Sequence, residues 1–346
     1  MEDKVYTFTL HLDWHLISLI SQIDRFDASW STIERKEGQS LKQLKSIATV
    51  RSVGASTRIE GSKLSDKEVE VLLQDIDITK LEDRDSQEVV GYFETLDMIS
   101  ESYQDIDISE NSLMALHKIL MRHSKKDEWH KGSYKQHSNA VEASYPDGTK
   151  QIIFQTTAAG FPTQDAMRGL VEWYQSDQQT HALVKCALFA YEFLSIHPFQ
   201  DGNGRLSRLL STLLLLKHGY KWVQYVSFEH EIESRKAEYY SALRSCQANR
   251  PNENVSDWIN FFFDALKNIQ EQLMKKLEAK GVETQLSPRE KSIITFIGNN
   301  PGCKSGDIAK RLAIPGPTVK RTLSVLLDKK LVEKHGTGPG TNYSIA

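Results

Sequence analysis

Between His197 and Arg208 the chain reads HPFQDGNGRLSR, which gathers an imidazole, a carboxylate, an asparagine between two glycines and two guanidinium groups into twelve residues. Glycines permit positive φ and close backbone approach. A glycine-rich loop that feeds a helix presents successive N–H groups to an anion, and the helix dipole adds partial positive charge there. Arg205 and Arg208, three residues apart, share one face of that helix. Together these features predict a site for several phosphate groups. A carboxylate beside bound phosphate repels it unless a cation lies between them, so Asp201 is a candidate Mg²⁺ ligand. His197, at an ordinary imidazole pKa of ~6.5, can accept a proton from a hydroxyl near neutrality. Base, metal ligand, anion-binding loop and paired arginines describe transfer of a phosphorus-containing group to a hydroxyl. The stretch fits neither the GxxxxGK[ST] loop nor the GxGxxG fingerprint.

HPFQDGNGRLSR resembles the Fic-family motif HPFx[DE]GNGRxxR at every defined position. The resemblance implies a mainly α fold, a Fic-type helical bundle with a β-hairpin flap. It also implies an adenylyltransferase that moves AMP from ATP to a Ser, Thr or Tyr hydroxyl of a target protein, possible self-modification included, and releases pyrophosphate. His197 then corresponds to the base and Asp201 to the Mg²⁺ ligand. The backbone of Gly202, Asn203 and Gly204 corresponds to the phosphate loop, with the Asn203 side chain on the α-phosphate, and Arg205 and Arg208 to the residues that engage the outer phosphates. Phe199 is expected to anchor the loop in the core. Tyr240, on the helical stretch that follows, is expected in the nucleotide pocket, while a plain core role for Tyr239 and Tyr240 stays open.

Far upstream, Ser56-Thr57-Arg58-Ile59-Glu60-Gly61 resembles the family's inhibitory pattern [ST]xxxE[GN]. It implies that Glu60, with Ser56 beside it, pairs bidentately with Arg208 and leaves ATP bound with a misaligned α-phosphate. The flap is expected over about 134–156, although the chain begins it Gly132-Ser133-Tyr134-Lys135 where relatives often read GxYR. His117 and His137 are expected to be structural or solvent-facing. Two other readings stay open: a donor other than ATP, carrying UMP, phosphocholine or phosphate, and a nucleotide-sensing transcriptional regulator with little catalysis.

The elements that must hold these residues are mostly helical. Apolar residues recur at three and four in 12–23, 41–56, 85–102, 110–123, 163–176, 181–195, 204–219, 233–246 and 255–269. One stretch, 143–156, breaks the pattern around Pro146-Asp147-Gly148 and predicts a β-hairpin. After the polar stretch EQLMKKLEAKGVETQ, three short helical patterns and two strand-like runs around HGTGPGT resemble a winged helix-turn-helix. The predicted organisation is an N-terminal helical region over 1–83 with the inhibitory helix at about 41–61, a catalytic core over 84–280, and a winged helix over 286–346. Ile308, Ala309, Leu312, Val319, Leu323, Leu326 and Leu327 are its expected core.

Charge locates one partner. The 346 residues carry a formal net charge of −3, which gives no global argument for nucleic acid or an anionic membrane. Residues 286–346 alone hold ten basic residues against four acidic ones, with Thr318, Lys320 and Arg321 at the start of the expected recognition helix. That excess suits DNA phosphates, and a protein partner or a homodimer mate is the alternative occupant. The three widely spaced cysteines read as buried hydrophobes in a reducing compartment. With no secretory signal and no apolar run long enough to span a bilayer, a cytoplasmic protein is expected.

Overall fold

The structure, a computed structural model, describes residues 8–78, 81–144, 150–284, 287–329 and 331–345. Contacts divide the chain into two units, Met1–Leu273 and Met274–Ala346.

The first unit opens with α1 (Trp14–Ile59), started by the Asp13 carboxylate, which accepts from the Leu16 N–H at 2.8 Å. The sequence pattern predicted separate helices over 12–23 and 41–56; the structure joins them, with one non-helical residue, Glu37. α2 (Asp66–Gln74) begins at a capping box between Ser65 and Glu68. α3 (Arg84–Ser102) and α4 (Glu110–Leu120) begin at Asp83 and Ser109, whose side chains each accept from the N–H three residues on. Such caps satisfy donors that a helix end would otherwise leave unpaired.

β1 (Ala140–Ser144) and β2 (Lys150–Gln155) pair antiparallel, with a register shift between Val141 and Glu142. The expected hairpin is therefore present; the Pro146-Asp147-Gly148 turn lies outside the described residues. α5 (Phe161–Ser176), α6 (Ala182–Ile196) and α7 (Asn203–Lys217) follow, then α8 (Phe228–Ser234), α9 (Lys236–Gln247) and α10 (Ser256–Thr284).

α6 and α7 are the core of this unit. Every α6 residue from Leu183 to Ile196 is buried, as are Leu206, Leu209, Leu210, Leu213 and Leu214 of α7. A helix apolar on all sides belongs inside a domain. The HPFQDG link between these two helices is thus held at both ends by buried helices.

The second unit contains α11 (Pro288–Asn299), α12 (Ser305–Leu312), α13 (Gly316–Asp328) and an antiparallel pair, β3 (Val332–His335) with β4 (Asn342–Ile345). Its core includes Ile308, Val319, Leu323 and Leu326, as expected, with Ala309, Leu312 and Leu327 partly buried against them. Ile293, Ile297, Cys303, Val332 and Tyr343 are its other buried members. All three cysteines are unpaired and buried. Among the described residues, no helix is long and apolar enough to cross a membrane.

Candidate active site

α6 ends where His197 turns left-handed, at φ 54°; α7 starts where Gly202 does the same, at φ 80°. His197 is one of two non-glycine residues with positive φ among those described. Between these two turns the chain reverses and aims the first turn of α7 into a cavity of about 590 Å³, within the usual range for small-molecule sites. His197, Asp201, Gly202, Asn203, Gly204, Arg205, Arg208, Tyr240 and Glu60 all line it. Every residue expected at the site except Ser56 therefore borders one cavity, and Ser56 lies directly behind it on Arg208.

His197 is half-buried. Burial, with the Lys135 ammonium adding to it, pushes its imidazole down to about 4. Its Nδ1 has no hydrogen-bond partner among the described residues. The ring is therefore neutral at pH 7 and able to take up a proton.

The loop's shape is set by side chains turned inward. Asn203 Oδ1 accepts from the Phe199 N–H at 2.9 Å, and Asn203 Nδ2 donates to the Phe199 carbonyl at 2.8 Å. Both polar ends of Asn203 thus hold the loop, and its Nδ2 amide keeps a second N–H beyond these two bonds. Phe199 is fully buried, as expected, and stacks on His117 with ring centres 3.8 Å apart. His117 Nδ1 accepts from the Gly132 N–H at 3.0 Å, so Nε2 carries the proton and donates to the Asp201 carbonyl, also at 3.0 Å. His117 is structural, as expected, and His137 is exposed.

Arg205 also faces inward. It is 1% exposed; Nη2 donates to Asp201 Oδ1 at 3.2 Å and Nη1 lies 3.3 Å from Glu88 Oε1. Arg205 thus holds the Asp201 carboxylate, while its Nε and Nη1 have no hydrogen-bond partner among the described residues and the residue lines the cavity. Burial alone would raise the Asp201 carboxyl, but Arg205, the Gly202 N–H, Lys126 and Arg84 outweigh it and hold it below its ordinary range. Asp201 and Glu60 are the carboxylates that line the cavity. Mg²⁺ is commonly held by one or two carboxylates plus substrate phosphates, and Asp201 beside a phosphate-sized loop fits that mode. Among the described residues, no group of three or more His, Cys, Asp or Glu forms a protein-only metal cage.

Arg208 is 2% exposed, and its Nε and Nη2 are held from the end of α1. Nε donates to Ser56 Oγ at 2.8 Å, and Nη2 donates to the Ser56 carbonyl at 3.0 Å and to Glu60 Oε1 at 2.8 Å. Ser56 thus takes one edge of the fork, and the pairing with Glu60 runs through one nitrogen instead of the expected two. The Glu60 side chain is 30% accessible. Burial would raise its carboxyl, but Arg208, with Arg205 behind it, holds it below the usual carboxylate range. A methyl group placed on Gly204 would lie 2.4 Å from Glu60 Oε1. The Glu60 carboxylate therefore rests against the phosphate loop itself, which needs a glycine there.

Two anchors that the sequence did not reveal hold this end of α1. Arg58 forks onto Glu233 at 2.6 and 3.0 Å and reaches Asp66 Oδ1 at 2.9 Å. Lys236, which lines the cavity, donates to the Ile59 carbonyl at 2.7 Å. Arg58 was visible in the sequence as part of the inhibitory pattern, but its partner is 175 residues away.

A long N-terminal helix whose C-terminal end borders the cavity, beside a glycine-rich turn between two buried helices, is a Fic-type arrangement. Residues 107–215 match the Fic/DOC family and residues 284–340 the MarR family. The chain carries a Fic domain and, at its C-terminus, a MarR-family winged helix domain. A stretch of 207 residues is 26% identical to the protein adenylyltransferase Fic of Drosophila sechellia and to that of Drosophila melanogaster, covering 58% of this chain. The chain spans about 39% of the length of those relatives. A crystal structure of a Fic family protein from Desulfovibrio desulfuricans superposes with a TM-score of 0.64 at 24% identity, over 99% of this chain and 98% of that one. A Fic domain containing signalling protein from Bacteroides thetaiotaomicron gives 0.60 at 22%, over 74% and 97%. These structural likenesses establish the fold.

Proposed function

We propose that this protein is a protein adenylyltransferase, transferring AMP from ATP to a hydroxyl of a target protein and restrained by Glu60. One observation carries the reading: a neutral imidazole, a phosphate-sized loop and an arginine occupied by a carboxylate border the same cavity.

In this mechanism the triphosphate lies over the first turn of α7, where backbone N–H groups and the helix dipole favour anions. Mg²⁺ held by Asp201 would neutralise phosphate charge. His197 takes the proton of the incoming hydroxyl as its oxygen bonds to the α-phosphorus. The bond from that phosphorus to the bridging oxygen breaks, and pyrophosphate leaves with the electron pair. Arg208 binds the outer phosphates only after it exchanges Glu60 for them. The target segment adds along the β1–β2 hairpin by strand-like pairing. Tyr240 borders the space left for the nucleoside.

The test is incubation of the Glu60→Gly protein with Mg²⁺ and ATP labelled at the α- or the γ-phosphate. Label from the α-position on a target protein, or on the chain itself, and its loss in Glu60→Gly/His197→Ala, supports AMP transfer. Label from the γ-position alone would replace it with a phosphotransferase, and label from neither would overturn the reading.

For the C-terminal domain, the proposed partner is duplex DNA. Lys320 and Arg321 are exposed near the start of α13, on a unit rich in basic residues.

A further inference from the structure

Lys135 is buried at 2% exposure. Its backbone N–H donates to the Pro198 carbonyl at 2.8 Å, and its Nζ donates to the Ile196 carbonyl at 3.1 Å. These are the carbonyls on either side of His197. The same ammonium donates to Asn139 Oδ1 at 2.9 Å and to Thr156 Oγ1 at 2.8 Å. Asn139 immediately precedes β1 and Thr156 immediately follows β2.

An ammonium has three donors and no acceptor, and all three are used here. The acceptors are neutral oxygens, and no carboxylate offsets the buried charge at these contacts. Burial accordingly lowers Lys135 to about 8, which still leaves it mostly protonated at neutral pH. The hairpin's two feet are also bound to each other. The Thr156 hydroxyl, which accepts from Lys135, lies 2.6 Å from the Asn139 carbonyl, and Asn139 Nδ2 donates to the Phe199 carbonyl at 3.1 Å. Left-handed backbone at a non-glycine residue such as His197 persists only where its surroundings hold it.

We propose that Lys135 is a positioning residue: one ammonium fixes the backbone on both sides of His197 and clamps both feet of the β1–β2 hairpin to it. A segment laid on the hairpin and the imidazole then meet in one geometry. The catalytic consequence rests on the transferase reading above; the clamp itself does not.

The test uses the full chain carrying Glu60→Gly as parent, with Lys135→Met and Thr156→Val added separately. Lys135→Met keeps the length and removes the donors, and Thr156→Val removes one acceptor. Misplacement of reacting groups by ~1 Å can lower a rate ~100-fold, so kcat for transfer falls about that much in Lys135→Met. KM for ATP stays within about threefold, because no cavity-lining group has changed. Amide exchange across 140–144 and 150–155 accelerates by about tenfold while exchange in α6 and α7 does not. Thr156→Val shows the same pattern, weaker, and decides the matter should Lys135→Met not fold. Unchanged kcat and hairpin exchange overturn the proposal, as does acceleration spread evenly over the whole chain. If the parent transfers nothing, the transferase reading fails, and hairpin exchange alone decides the clamp: faster exchange supports it and unchanged exchange removes it.

Discussion

Replacing Glu60 by glycine should release the enzyme, and the structure supplies the magnitude. Glu60 and Arg208 share one charge-assisted hydrogen bond of 2.8 Å. Such bonds contribute about 1.5–3 kcal/mol, and each 1.36 kcal/mol is a factor of ten. If the outer phosphates must evict Glu60 before Arg208 can serve them, productive occupancy falls by roughly 10- to 150-fold. If Glu60 stays and the nucleotide sits displaced, a ~1 Å error gives a loss of ~100-fold. These are alternative routes and do not multiply, so both point to activation of about two orders of magnitude. The substitution has a second consequence. Arg208 keeps Ser56 but loses its carboxylate. Uncompensated buried charge destabilises by up to about 3–5 kcal/mol, less where a water-filled cleft reaches the site. The free variant should melt below wild type, and ATP should raise its Tm by more than it raises that of wild type, because phosphate replaces the missing anion. Initial rates with α-labelled ATP and paired melting curves read both effects. A rate within about threefold of wild type, with equal ATP-induced Tm shifts, would refute the reasoning.

With its imidazole lowered to about 4, His197 is neutral above that value and protonated below it. The kcat/KM profile of Glu60→Gly should therefore stay flat down to about pH 5 and fall below it; an acid limb near 6.5 would contradict this. The Glu60 carboxyl is held below its ordinary range, so its pairing is present above that range and lost only as pH falls through the lowered value. The activity ratio of variant to wild type should be constant from about pH 5.5 to 8. Arg58→Ala removes the fork onto Glu233 and the contact with Asp66. It should raise wild-type activity several-fold and add nothing to Glu60→Gly, the non-additivity expected of two groups on one device. Duplex DNA binding by the full chain should weaken steeply with salt, and Lys320→Ala/Arg321→Ala should lower it and flatten the salt slope by about two, measured by fluorescence anisotropy.

How much of this was readable beforehand depended on distance along the chain. The HPFQDGNGRLSR turn is local, so its glycines, its helix start and its carboxylate could be assigned chemistry from spacing alone. What spacing could not give was direction. Asn203 and Arg205 look like phosphate ligands by type, yet their partners are the Phe199 backbone, Asp201 and Glu88. The Glu60–Arg208 pairing spans 148 residues and was legible only through resemblance. Lys135 stood out only as a departure from GxYR; its role was hidden because one of its acceptors is a backbone carbonyl 61 residues away, and backbone carbonyls carry no sequence identity. Two helix boundaries were missed for one physical reason. The middle of α1 and the end of α10 are polar, and polarity resembles a linker. The end of α10 is nevertheless rich in Glu, Lys and Leu, strong helix formers, and α10 carries the i,i+4 pair Lys267–Glu271 at 3.0 Å.

These inward commitments change what regulation has to accomplish. In the proposed mechanism a triphosphate would be met by the start of α7, Asp201 and Arg208. Of these, the backbone is fixed by the buried helices on either side of the turn, and Asp201 is fixed by Arg205 and the Gly202 N–H. Arg208 alone has its carboxylate partner supplied by a distant element, the last turn of α1, which Arg58 and Lys236 fasten from the other side. A control that acts on one contact need not deform the catalytic turn. It needs only to release a helix end that part-buried ion pairs fasten.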